Sequence, residues 1–350
     1  MDAHRAPRWL GGSGPWGGNA QTIWAAAVSH RRQPRPAYRR ERWTTPDGDF
    51  IDVDWQEAPA PHAALAADRP AGAAQSAAAP HAGTSPAPLL VLLHGLEGSS
   101  ASHYAVAFAH RAHELGWRYA VPHFRGCSGE LNLAPRAYHS GDHEEVGWML
   151  AQLRARHGGP IVAVGVSLGG NALLRWAEEA GDSAARTVRA VCAVSAPLDL
   201  AAGAVALGRG FNRHVYTRLF LQTMRPKALA KLAQHAGLFD RRRLLAARDL
   251  HDFDDLFTAP LHGFRDADDY YARASAKPHL ARIRVPALVV NARNDPFVPA
   301  ASLPAAREAG AHVTLWQPAH GGHAGFAHGG FPGRLATLPR EVTLWLQQRL

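Results

Sequence analysis

Gly165-Val166-Ser167-Leu168-Gly169 is the stretch on which the reading of this chain turns. It follows the apolar run Ile161-Val162-Ala163-Val164 and precedes the helix-like run Asn171-Ala172-Leu173-Leu174-Arg175-Trp176-Ala177. Strand, G-x-S-x-G and helix, in that order, is the sequence form of a sharp turn that presents a serine hydroxyl at the end of a sheet strand. Such a turn holds the serine in unfavourable backbone angles. Side chains two positions to either side would collide with it, and Gly165 and Gly169 meet that demand. The five-residue pattern carries little weight alone in a chain with 33 glycines. The flanking strand and helix make it specific.

A serine hydroxyl is a poor nucleophile until a base takes its proton, and a carboxylate must fix the tautomer of that base. With this kind of turn the order along the chain is Ser, then Asp or Glu, then His. The acid favoured by position is Asp295, in Asn294-Asp295-Pro296-Phe297-Val298-Pro299, a few residues past an expected strand at 287–291. Its rival is Asp199, just past an expected strand at 188–195; the plainer role for Asp199 is a helix cap, and for Asp295 a turn residue before proline. The base is His323, in Gly321-Gly322-His323-Ala324-Gly325-Phe326, with His320 and His328 as close neighbours. An oxyanion needs two backbone N–H donors. Leu168, after the nucleophile, supplies one, and Leu96, in His94-Gly95-Leu96-Glu97-Gly98, the other. His94 reads as a brace for that loop, and Glu97, Cys127 and Ser128 as structural. The spacing His-x-x-His-x4-His lacks the Cys or Glu partners of a zinc site, so no metal is expected, and no cofactor is required.

Outward from this core the chain alternates strands and helices. Strands are expected at 89–93, 117–121, 161–164, 188–195, 287–291 and 313–317, and helices at 102–115, 300–309 and 334–350. Asp142 and Glu145 look like a capping box opening another helix, which ends near Gly158. Unbroken apolar strands alternating with helices predict an α/β fold, with a mostly parallel central sheet covered by helices on both faces. Before it stand a basic arm at 1–40, with one short helix near 21–28, and a hairpin turning at Asp47-Gly48. Residues 57–87 are mostly Ala and Pro and read as a disordered loop inside the fold. From 198 to 275 the strands stop, and helical stretches alternate with clustered charges and aromatics, as expected of a helical cap inserted after a sheet strand. The main domain is expected to span 41–350.

The totals set the limits. The 350 residues are 47% hydrophobic, enough for a large core and against global disorder. The formal charge is +9, almost all from arginine, since Lys227, Lys231 and Lys277 are the only lysines. The arginines are scattered, with no zinc-finger, RRM or basic-zipper pattern, so no nucleic-acid partner is expected. Cys127 and Cys192 suggest no disulfide framework. The N-terminus does not read as a secretory signal, and no apolar run approaches the roughly 20 residues of a membrane span. The expected location is cytoplasmic.

Further stretches carry a resemblance. They are Asn19-Ala20-Gln21-Thr22-Ile23, Pro46-Asp47-Gly48-Asp49-Phe50, His94 to Gly98, His123 to Glu130, Tyr138-His139-Ser140-Gly141, Phe253-Asp254-Asp255, Asp269-Tyr270-Tyr271, Asn294 to Phe297 and Gly321 to Phe326. With the Ser167 turn and Gly170-Asn171, they make the chain resemble the YheT-like branch of the α/β-hydrolase superfamily. Relatives of that branch are the eukaryotic alpha/beta-hydrolase-domain lipases and the yeast medium-chain ester synthases/esterases. The similarity runs from about residue 15 to the C-terminus, apart from 57–87. It implies a Ser167, Asp295, His323 triad and cleavage of carboxylic esters, either short- to medium-chain acyl esters or monoacylglycerols. Alcohol acyltransfer is the alternative that the same triad would serve. A catalytically silent binding protein would need a lost triad member, and none is lost. Val166 stands where relatives often carry a bulkier residue, so the shape of an acyl pocket is not inherited. The expected partner is a small-molecule or lipid ester, with peripheral membrane contact through the arm and the cap as a further expectation.

Overall fold

A computed structural model of the chain describes residues 4, 6–12, 14, 16–28, 34–59 and 86–350. The Ala/Pro loop expected at 57–87 lies outside the described residues, apart from its ends.

Eight strands form one sheet. They are β1 (Arg39–Thr44), β2 (Phe50–Gln56), β3 (Leu89–Leu93), β4 (Arg118–Pro122), β5 (Ile161–Val166), β6 (Ala190–Val194), β7 (Ala287–Val290) and β8 (Val313–Trp316). Their spatial order is β1-β2-β4-β3-β5-β6-β7-β8. β1 and β2 form the expected antiparallel hairpin, β2 runs antiparallel to β4, and every other pairing is parallel. Successive side chains point to opposite faces. Leu89, Val91 and Leu93 therefore enter one apolar cluster with Met149 and Leu173, while Leu90 and Leu92 enter another with Phe108 and Trp345. Both faces are buried, which is why β3 reads as an unbroken apolar run. Each such Leu or Val contributes about 1.5–3 kcal/mol by leaving water.

The helices that bear on the site are α1 (Gly17–Ala27), α2 (His103–Glu114), α3 (His143–Arg156) and α4 (Leu168–Ala180). A helix at Thr337–Gln347 closes the described chain. Between β6 and β7 no strand occurs, and the chain builds helices at Leu200–Leu207, Arg218–Gln234, Arg241–Ala246 and Ala267–Ala274, with shorter turns between them.

Three local expectations change. The helix expected at 300–309 is broken into Ala300–Ser302 and Ala306–Ala309. Pro304 explains the break: it disfavours helical angles at the preceding residue, and Leu303 is extended, with φ −64° and ψ 144°. The capping box is half formed. Asp142 accepts the Glu145 amide, but the Glu145 carboxylate turns to the Arg125 guanidinium instead of the Asp142 backbone. The helix near 21–28 begins earlier, at Gly17, and is packed against the loops after β7 and β8.

Candidate active site

The turn between β5 and α4 puts Ser167 at φ 54°, ψ −123°. A Cβ on Gly165 would lie 2.3 Å from the Gly169 carbonyl oxygen, and one on Gly169 would lie 2.4 Å from that of His94. Neither position has room for a side chain, because main chain crosses main chain at both.

Ser167 Oγ lies 2.9 Å from His323 Nε2. On the other side of the ring, Nδ1 lies 2.9 and 3.2 Å from the two carboxylate oxygens of Asp295. The carboxylate can only accept, so Nδ1 carries the proton and Nε2 is free to take one from the serine. The Asp295 side chain has no solvent exposure, and its Oδ1 also accepts the Phe297 and Val298 amides, at 2.8 and 3.3 Å. The Phe297 ring packs on His323 with centroids 4.2 Å apart. Asp199 is elsewhere employed: it caps the helix Leu200–Leu207 by accepting the Ala202 amide at 3.0 Å. His320 and His328 do not line the cleft that contains His323.

The loops that carry His323 and Asp295 are held by α1. Gln21, fully buried, accepts the Gly321 amide at 2.9 Å and the Asn294 side-chain amide at 3.1 Å through one oxygen. Asn294 in turn accepts the Gly322 amide at 3.0 Å. Thr22 Oγ1 accepts the His323 amide at 2.8 Å and donates to the Gly18 carbonyl at 2.7 Å. A Cβ on Gly18 would sit 1.9 Å from the Asn294 carbonyl oxygen, so glycine is required where α1 meets the Asp295 loop. Sequence reasoning gave these residues no role. The available signal was Asn19 to Ile23, a family-like stretch in an arm otherwise of low information.

On the other side of Ser167, the loop after β3 approaches closely: a Cβ on Gly95 would be 3.0 Å from Ser167 Cβ. Leu96 and Leu168 both line the cleft beside Ser167. Leu168 opens α4, so its N–H has no partner inside the helix. His94 is the brace expected of it. Its Nε2 accepts the Phe124 amide at 3.0 Å, which leaves Nδ1 to donate to the Gly95 carbonyl at 2.8 Å. Burial, with His123 close by, lowers its pKa to about 3, so the ring is neutral. Glu97 sits at φ 56°. Its amide donates to the Tyr138 hydroxyl at 2.9 Å, and its carboxylate binds Lys227, 2.9 Å away on the helix Arg218–Gln234.

Ser167 and His323 open into a cleft of about 1160 Å³, its solvent-open mouth included. The sheet side contributes Leu96 and Leu168. The helical segment contributes Leu207, Phe220, Met224 and Phe257, so the wall is largely apolar. Asp254 also lines it, accepting from the Thr258 and Tyr271 hydroxyls at 2.6 and 2.8 Å. Burial pushes its carboxyl up to about 6. Cys127 lies nearby, and burial raises its thiol to about 12, which makes it a poor nucleophile. A hydroxyl, an imidazole and a buried carboxylate in series, beside an apolar cleft, can transfer a proton from the hydroxyl while it attacks a bound electrophile.

Residues 88–329 match the family model described as the alpha/beta hydrolase fold. YheT of Escherichia coli (strain K12), whose name classes it as an esterase, is 38% identical over 323 residues, covering 91% of this chain and 85% of that protein. Phospholipase ABHD3 of Mus musculus is 28% identical over 338 residues, covering 95% and 76%. Among solved structures, mouse alpha/beta hydrolase domain-containing protein 10 superposes with a TM-score of 0.51 at 12% identity, covering 89% of this chain and 99% of that one. That last likeness concerns the fold.

Proposed function

The chain belongs to the alpha/beta hydrolase fold family, and from that premise we propose that it is a serine hydrolase of carboxylic esters with Ser167, His323 and Asp295 as its triad. The observation that carries the reading is the unbroken series from Ser167 Oγ through His323 to Asp295, with contacts of 2.9 Å on each side of the ring. His323 takes the serine proton as Oγ adds to the ester carbonyl, and Asp295 stabilises the imidazolium that forms. The Leu96 and Leu168 amides hold the oxyanion. The same proton then goes to the departing alcohol. Water, activated by the neutral histidine, releases the acid and restores Ser167. The helical segment 198–275 serves as a cap, supplying the apolar wall against which an acyl chain or a lipid ester lies. Short- to medium-chain acyl esters and monoacylglycerols suit that wall, and the names of the two relatives, an esterase and a phospholipase, point the same way.

A fluorophosphonate probe tests the assignment. It should label Ser167, and Ser167→Ala should abolish labelling and lower kcat on a p-nitrophenyl ester by something on the order of a millionfold, as for nucleophile loss in serine proteases. Labelling mapped to another residue would overturn it.

A further inference from the structure

The arginine excess is uneven along the chain. Residues 200–248 hold ten arginines and lysines against a single carboxylate, Asp240, a local balance of +9 equal to that of the whole chain. Lys227 and Lys231 turn inward, to Glu97 and to the carbonyls of Asn132 and Ala134. Arg209, Arg213 and Arg218 do not. All three are exposed, and among the described residues none has an ion-pair partner.

Large apolar side chains stand exposed among them. Phe211 is 38% and Leu219 56% exposed, and Trp16, from the N-terminal arm, is 62% exposed with its ring 5.5 Å from that of Phe211. The patch is tied to the site by a series of ring contacts. Phe211 meets Tyr216 at 5.9 Å, Tyr216 meets Phe297 at 4.6 Å, and Phe297 meets His323 at 4.2 Å. The stretch is helical from Gly210 to Gln234, and its inner residues Phe220, Met224 and Lys227 line the cleft.

We propose that this basic and apolar face, built by residues 209–219 and Trp16, docks the protein on a lipid surface carrying anionic headgroups. Unpaired arginines gain from phosphate-rich headgroups, and rings and a leucine gain from the acyl boundary beneath them. A nucleic acid would satisfy the first group and leave the second in water. Docking brings the cleft against the lipid, so that an ester in the membrane enters beside Ser167 without crossing water; only this consequence rests on the esterase reading.

The test is sedimentation of the full chain with vesicles of phosphatidylcholine containing about 30% phosphatidylglycerol, at about 0.1 M and about 0.5 M NaCl. Binding should occur at low salt and fall at high salt. Paired Arg213→Glu and Arg218→Glu should weaken it by at least tenfold, and Arg213→Gln or Arg218→Gln by about fivefold each. Leu219→Ser should weaken it at both salt concentrations. Near-UV circular dichroism establishes that each variant is folded. No binding, equal binding to pure phosphatidylcholine, or indifference to the arginine substitutions would overturn the proposal. Binding to duplex DNA in place of vesicles would do so too. Because the readout is sedimentation, it succeeds or fails independently of esterase activity.

Discussion

Gln21 and Gly321 lie 300 positions apart, yet Gln21 Oε1 accepts the Gly321 amide at 2.9 Å and, through the same oxygen, the side-chain amide of Asn294. One buried side chain on the N-terminal helix therefore ties the loop that carries Asp295 to the loop that carries His323. The distance between acid and base is set from outside the sheet.

Removing that tie should harm turnover more than binding. Gln21→Ala leaves the buried Gly321 amide and the part-buried Asn294 side-chain amide without their acceptor, and a displacement of about 1 Å at a reacting group costs on the order of a hundredfold in rate. We expect kcat to fall roughly 10- to 100-fold with KM little changed. Thr22→Val, which keeps shape but loses the acceptor for the His323 amide, should act in the same direction, and Thr22→Ser should restore activity. Equal losses for Val and Ser, or an effect on KM alone, would show that α1 has no positioning role.

The two aspartates separate cleanly. Asp295→Asn should lower kcat about ten-thousandfold, the scale seen when a triad acid is replaced by its amide. Asp199→Asn should leave kcat within a few-fold, because asparagine caps a helix as well as aspartate does, whereas Asp199→Ala should cost about 1 kcal/mol in stability. Steady-state kinetics with urea unfolding distinguishes the roles, and the reverse pattern would move the acid to the loop after β6.

The serine turn tolerates no Cβ at its second glycine. Gly169→Ala would put a methyl 2.4 Å from the His94 carbonyl oxygen and 2.5 Å from that of Leu93, both main-chain atoms at the end of β3. A drop in melting temperature with loss of probe labelling is expected. Gly158→Ala, where the nearest atom is a proline ring carbon at 3.7 Å, serves as the control and should shift stability by no more than about 0.5 kcal/mol. Similar melting temperatures for the two variants would contradict the packing described.

Stability should fall in acid partly through Asp49. Burial alone would raise its carboxyl, but hydrogen bonds from the Asn132 side chain and the Leu133, Phe50 and Ala134 amides outweigh it and hold it at about 2. Its value in the unfolded chain is about 3.9. A lowered folded-state pKa stabilises above the unfolded value, so the contribution is whole above about pH 4 and is lost as pH falls towards about 2. Asp49→Asn should cost up to about 2 kcal/mol at pH 7 and less at pH 3, as read from urea midpoints. A constant difference at both pH values would exclude this linkage.

Local pattern accounts for what was legible in the chain. Unbroken apolar runs such as 89–93 announce strands buried on both faces, and Gly165 and Gly169 announce a turn with no room for side chains. Ser167, Asp295 and His323 come in that order in the loops after β5, β7 and β8. Where Pro304 interrupts a helix-like run, the local signal was present but was outweighed by the surrounding pattern.

What only the tertiary structure decided depends on distance along the chain. Nothing in the neighbourhood of Gln21 or Thr22 says that they will meet Gly321 and His323, because the sheet must first close between them. Glu145 reads as a capping residue until Arg125 is brought within reach. The arginines between 200 and 248 are clustered already in the sequence, but which of them have ion-pair partners among the described residues shows only in the folded chain. By itself the sequence determined the strands, the strained turn and the residue types that chemistry needs, because these rest on contacts a few residues apart. The folded chain decided which side chains hold the serine, histidine and aspartate in register and which charges face solvent, because those depend on contacts between segments hundreds of residues apart.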